Sequence, residues 1–187
     1  MKQSKGRRGK GISREAKKKP GTKPAKARPE PSGRRKPYIF LDHPADVGFI
    51  ARGHNLSELF ESAAAAVLDY GWELDTVRDR EQVDIRARAA TLEDLLFSWL
   101  AELVFLADAE HWVFKRVSVK HLEPPHVSTP EGAPPQKPLW EIRGAGHGER
   151  FDKARHHPRT YIKAVTYHQL EINESPDGWQ ATVFLDV

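Results

Sequence analysis

The chain has 187 residues, no cysteine and a formal charge of +4, with 30% charged and 39% hydrophobic residues. The length suits one core-bearing domain with additional segments, and the lack of cysteine excludes a disulfide framework and any thiolate-ligated zinc. No apolar run reaches the roughly 18 residues of a membrane span and no signal-peptide core is present, so a soluble, intracellular, cytoplasmic protein with no membrane partner is expected.

The charge is unevenly spread. Residues 1–36 hold fifteen Lys or Arg against Glu15 and Glu30, which is +13, so residues 37–187 carry −9. This basic segment has prolines at 20, 24, 29 and 31 and no aromatic residue before Tyr38. It has too little apolar surface to offset its ordering entropy and is expected to be disordered. A basic arm of this kind can meet RNA phosphates by counterion release, and without aromatics it offers no base stacking.

The body, 37–187, follows as one domain. Strands are expected at 37–41 and 47–52, on either side of Asp42-His43-Pro44-Ala45-Asp46. Asn55 with Glu58 three residues on resembles a capping box. It opens a helix whose apolar stripe is Leu56, Leu59, Phe60, Ala63, Ala64, Val67 and Leu68. Gly71 is placed to end it. Val83, Ile85, Ala87 and Ala89 alternate with charged residues as a strand with one wet face. Thr91 with Asp94 then caps a second helix. Its stripe is Leu92, Leu95, Leu96, Trp99, Leu100, Leu103 and Leu106, widened by Phe97, Val104 and Phe105.

Further strands are expected at 112–122, 138–146, 161–172 and 179–187. Residues 123–138 contain six prolines and read as a mobile hairpin loop or insertion. Pro176-Asp177-Gly178 is hairpin-turn chemistry joining the last two strands. Strands outnumber helices. The expected fold is therefore α+β, a two-layer domain with an antiparallel or mixed sheet and two amphipathic helices packed on one face.

Three groups carry the sharpest chemistry. The last strand runs through Asp186 to Val187, so the Asp186 side chain and the Val187 carboxylate are expected side by side. Asp46, in the turn between the first two strands, adds a third oxygen donor if the first and last strands are neighbours. Oxygen-only ligation selects calcium or magnesium over zinc or copper. Asp46 as a turn former and Asp186 as a solvated strand end fit the same pattern, and spacing does not choose between the readings.

Other constellations are weaker. His43 and His168 are candidate general bases because imidazole titrates near neutrality, and a hydrogen-bonded structural histidine is the commoner outcome for each. His156 and His157 are adjacent, without the helical or hairpin spacing of a metal site. Gly144-Ala145-Gly146-His147-Gly148 follows a strand with no helix behind it, so a bulge or turn is expected rather than a phosphate loop. No nucleophile elbow is present, which leaves an enzyme poorly supported. In Tyr161-Ile162-Lys163-Ala164-Val165-Thr166-Tyr167, alternation puts Lys163 on the face of Tyr161, Val165 and Tyr167, able to reach a carboxylate, a partner's phosphate or solvent.

These segments together resemble the archease family. Leu41-Asp42-His43-Pro44-Ala45-Asp46-Val47-Gly48 and Leu56-Ser57-Glu58-Leu59-Phe60-Glu61 match its opening motifs. Leu92 to Leu103 matches its second helix, and Gly148-Glu149, Lys163-Ala164-Val165-Thr166-Tyr167-His168 and Asp186-Val187 match its closing motifs. The resemblance covers about 37–187, in order. It implies a non-catalytic protein cofactor of an RtcB-type RNA ligase, promoting guanylylation and multiple turnover in tRNA splicing and RNA repair. It also implies a divalent cation, calcium first with magnesium or manganese as alternatives, on Asp46, Asp186 and the Val187 carboxylate. Lys163 is implied in activation, and His43 and His168 lie in the matching motifs as expected partner contacts. Pro44 stands where the family usually has threonine. The basic segment 1–36 and the Pro-rich 123–138 stretch have no counterpart there. The competing expectation is a stand-alone RNA-binding or chaperone module acting through residues 1–36.

Overall fold

The computed structural model describes residues 36–41, 47–126 and 137–187. The expectations placed on residues 1–35, on the turn 42–46 with His43 and Asp46, and on 127–136 lie outside the described residues. Strand β1 (Tyr38–Leu41) and strand β2 (Val47–Gly53) precede helix α1 (Leu56–Gly71) and a 3-10 turn (Leu74–Thr76). Strand β3 (Glu81–Ala89), helix α2 (Leu92–Asp108) and strands β4 (Trp112–His126), β5 (Leu139–Arg150), β6 (Ala164–Ser175) and β7 (Gly178–Asp186) complete the order.

Both helices start as their residue patterns dictate. The Asn55 side chain accepts from Glu58 N at 2.9 Å, and Glu58 Oε2 accepts in return from His54 N at 2.9 Å. Thr91 Oγ1 accepts from Asp94 N at 3.1 Å. Such caps satisfy donors that the first turn leaves without partners. Leu59, Phe60, Ala63, Ala64, Val67 and Leu68 of α1 are buried, as are Leu95, Leu96, Trp99, Leu100, Leu103 and Leu106 of α2. At about 1.5–3 kcal/mol for each large side chain, α2 contributes the largest share of the core.

The fold is α+β, and its strands divide between two antiparallel sheets. One has the order β1-β2-β7-β6 and the other β3-β5-β4. Each helix packs on both: α1 on β2, β7 and β4, and α2 on β6, β3 and β5. The helices thus fasten two small sheets to one core, a division that strand periodicity does not reveal because it reports faces and not partners.

Several local expectations need correction. Residues 144–148 are not a turn but run through β5, the middle strand of its sheet, and of the two expectations the bulge is the nearer, since the pairing with β4 is irregular at both ends of the run. A Cβ at Gly144 would sit 2.2 Å from Ser118 O and 2.7 Å from the Trp99 ring, and one at Gly148 2.0 Å from Val113 O. The glycines admit neighbouring backbone and rings, a use of glycine within strands. Register shifts do occur opposite them, on β4 after Phe114 and after Val119. Strand β4 also runs on to His126, into the expected loop. Helix α1 does end at Gly71, its last residue, although the capping position is an extended Trp72. Phe105 does not widen the buried stripe but is 54% exposed. Gly178 does take a positive φ, +120°, in the β6–β7 hairpin, and a Cβ there would meet Gly53 O at 2.4 Å.

Candidate functional site

Strand pairing decides which ends meet. Strand β2 opens at Val47 opposite Leu185, and Gly48 pairs with both Phe184 and Leu41. On the other side of β7, Ala164 pairs with Asp186. The strand ends flanking residues 42–46 therefore lie at the Leu185–Asp186 end of β7. The first strand is not itself the neighbour of the last that a shared carboxylate site was expected to need; β2, the strand after the turn, lies between them and pairs with β7.

Lys163 closes this edge. Its main-chain N–H donates to Asp186 O at 2.9 Å. Its ammonium donates to the main-chain oxygen of Val187 at 2.8 Å and lies 3.8 Å from Asp186 Oδ1. Both side chains of that pair are more than half exposed, so solvent screening leaves the ion pair little role in stability. The arrangement presents oxygens converging on one positive charge. Among the described residues no three His, Asp or Glu side chains gather as a metal-binding group.

Lys163 is bracketed by two tyrosines fastened to α2. Tyr161 OH donates to Asp108 Oδ1 at 2.9 Å, and this bond, with the carboxylate's charge, raises the phenol above its ordinary pKa. Tyr167 stacks on Phe97 with ring centres 3.9 Å apart. Desolvation, then the nearby Asp94 charge and a hydrogen bond to it, raise its phenol as well. Alternation places Lys163, Tyr161, Val165 and Tyr167 alike, yet only Val165 is buried. Strand β6 begins at Ala164, so Tyr161 and Lys163 precede it. Farther along, five steps from Thr166 to Glu171 oppose two from Phe184 to Thr182. Gln169, at φ +50°, lies inside that irregularity, which breaks the period. His168 lies there too, edge-on to the Phe184 ring at 5.4 Å and 2.9 Å from the Gln169 amide.

A second polar cluster escapes the sequence reading. Glu149 and His156 are 3% and 2% exposed. Glu149 Oε1 accepts from the Arg155 guanidinium, from Arg78 N at 2.8 Å and from His156 Nε2 at 3.1 Å. Asp152 N donates to His156 Nδ1 at 2.9 Å, so the ring proton sits on Nε2, facing Glu149. Arg155, opposed by burial and aided by the Arg78 and His156 bonds, holds the Glu149 carboxyl at about 2. Nearby, Asp69 joins Lys36 Nζ at 2.7 Å and Arg159 Nη1 at 3.2 Å. Both clusters pin the loop 151–163 that leads into Lys163. The available signal was Glu149 at a strand end with Asp152, Arg155 and His156 within seven residues, which has no periodicity to mark it.

Comparison with known proteins agrees with this architecture. The model of the Archease protein family (MTH1598/TM1083) matches residues 38–187. Protein archease of Pyrococcus furiosus is 34% identical over 147 residues, covering 78% of this chain and 95% of that one. Protein archease of Methanosarcina acetivorans is 34% identical over 152 residues, covering 81% and 97%. The solution structure of protein 1598 from Methanobacterium thermoautotrophicum superposes with a TM-score of 0.66 at 29% identity, covering 82% of this chain and all of that one. The chain belongs to the archease family.

Proposed function

We propose that this protein is a non-catalytic activator of an RtcB-type RNA ligase, promoting its guanylylation and repeated turnover in tRNA splicing or RNA repair. The observation that carries the reading is the edge where Lys163 meets Asp186 and Val187, beside the start of β2. Family membership supports the same assignment, since the match spans this edge and Lys163 and Asp186-Val187 lie in the segments that resemble the family's closing motifs.

In this reading Asp46, Asp186 and the Val187 carboxylate hold a divalent cation, calcium before magnesium or manganese. The donor set fits such a group, because it is made of hard oxygens and its described members already converge on an ammonium. Bound there, the cation supplies charge neutralisation between acidic strand ends. The protein's own residues do the rest: pairing of β2 with β7 brings the ends together, and Lys163, held by its main-chain bond to Asp186, presents a cation at the rim to the ligase. His43 and His168 complete the proposed contact surface.

The test is ligase guanylylation and multiple-turnover RNA joining with a cognate RtcB-type ligase. The expected result is stimulation by the wild-type protein, lost with Asp46→Ala or with chelator while the fold is unchanged. Equal stimulation by Asp46→Ala would overturn the cation site. No stimulation of an active ligase by the wild type would overturn the activator role.

A further inference from the structure

The solvent side of α2 carries chemistry that the cation edge does not use. Opposite the buried stripe, Asp94, Phe97, Ala101, Phe105 and Asp108 follow at steps of three, four, four and three, which is one helical face; Tyr167 covers its Asp94–Phe97 end, and the end towards Phe105 and Asp108 faces solvent. The outer face of a surface helix is ordinarily polar. Here Phe105 is 54% exposed and Tyr161, beside Asp108, is 61% exposed.

Next to this face lies a cavity of about 250 Å³ between the C-terminal halves of the two helices. Val67, Leu68, Leu103, Val104 and Ala107 wall it, and Phe151 and Tyr161 border it. Its lining includes no Lys or Arg, and Asp108 is its one carboxylate. Size narrows the occupant. An apolar cavity of about 150 Å³ already takes benzene, whereas pockets for drug-sized ligands run to about 300–1,000 Å³. The space suits one aromatic or branched side chain.

Charge narrows it further. Helix α2 carries Glu93, Asp94, Glu102 and Asp108 and no Lys or Arg, whereas on α1 Asp69 is already paired with Lys36 and Arg159 and Glu58 and Glu61 line a separate groove, so the unneutralised acidic charge here is that of α2. In the 151–163 segment, Arg155 is taken by Glu149 and Arg159 by Asp69. Such a field repels a phosphate backbone and draws a cationic partner. We propose that the outer face of α2 and the adjoining cavity dock a basic segment of a partner protein. That segment seats one aromatic or branched side chain in the cavity and sets its Lys or Arg against Glu102 and Asp108.

The partner's identity rests on the functional reading above: the segment belongs to the ligase. Lys163 lies between Tyr161 and Tyr167, both bonded to α2 carboxylates, so a partner seated on α2 reaches Lys163 as well. The test measures binding of the full-length chain to the cognate ligase without RNA, and separately to a single-stranded 20-nucleotide RNA. Phe105→Glu is expected to weaken ligase binding about 30-fold or more, the scale of a hot-spot anchor. Glu102→Lys is expected to slow association and flatten its salt dependence, with RNA binding lowered by neither change. Circular dichroism melts like the wild type's would confirm that both variants fold. Ligase binding equal in wild type and both variants would overturn the docking face and leave the activator role standing. No binding by the wild type would overturn both. Loss of RNA rather than ligase binding in Phe105→Glu would overturn the proposal and assign the face to nucleic acid.

Discussion

Glu149 shows how much one residue's surroundings decide. Its carboxylate is buried and receives the Arg155 guanidinium, a main-chain N–H and the His156 ring. Its folded pKa of about 2 lies below the ordinary glutamate value near 4.3. The resulting stabilisation, on the order of 2–3 kcal/mol by linkage, is present in full above that ordinary value. It is lost as pH falls towards about 2. Thermal melts at pH 7, 5 and 3 are expected to show wild type losing stability into acid. Glu149→Gln should start lower at pH 7 and lose less across the same range. Parallel curves for the two proteins would show that Glu149 is not the titrating group.

At the scale of elements, β5 is the informative case. Its glycine run reads as a turn from composition, yet it forms the centre of a three-stranded sheet because β4 and α2 press against it. Glycine weakens a strand on its own, so the pattern survives where a side chain cannot fit. Gly148→Ala would push a Cβ to 2.0 Å from Val113 O, a backbone atom that cannot swing away. We expect a loss of about 1–3 kcal/mol or more, read as a lower midpoint in urea unfolding. An unchanged midpoint would mean that β4 yields more easily than its pairing indicates. Strand β6 makes the complementary point. Its irregularity after Thr166 carries Tyr167 onto Phe97, and period-2 reasoning loses the chain there.

For the whole molecule, charge separates two roles. Residues 1–36 carry +13 and residues 37–187 carry −9, so the expected source of affinity for RNA phosphates is the basic segment. With about five phosphate contacts to a single strand, log K would fall against log salt with a slope of roughly −3.5. Removing residues 1–35 is expected to abolish that salt-dependent RNA binding and leave ligase activation in place. Activation lost together with RNA binding would favour the RNA-module reading instead.

The residues by themselves determined the α+β class, both helices with their caps, the β6–β7 turn and the motifs that point to the archease family. Each of these is local, set by side-chain period, by cap and turn chemistry within three or four residues, or by an ordered string of short matches. Only the tertiary structure decided the split into two sheets, the meeting of β2 with the end of β7, the Glu149–His156 cluster and the exposure of Phe105. Each depends on packing that local pattern does not report: Val47 meets Leu185 from the far end of the chain, and Glu149 and His156, seven residues apart, are buried together only in the folded molecule. Lys163 stands between the two. Its position in a motif is legible, but its hold on Val187 arises only because β6 and β7 pair. Period and capping are written in near neighbours, whereas pairing and burial are settled when the whole chain packs.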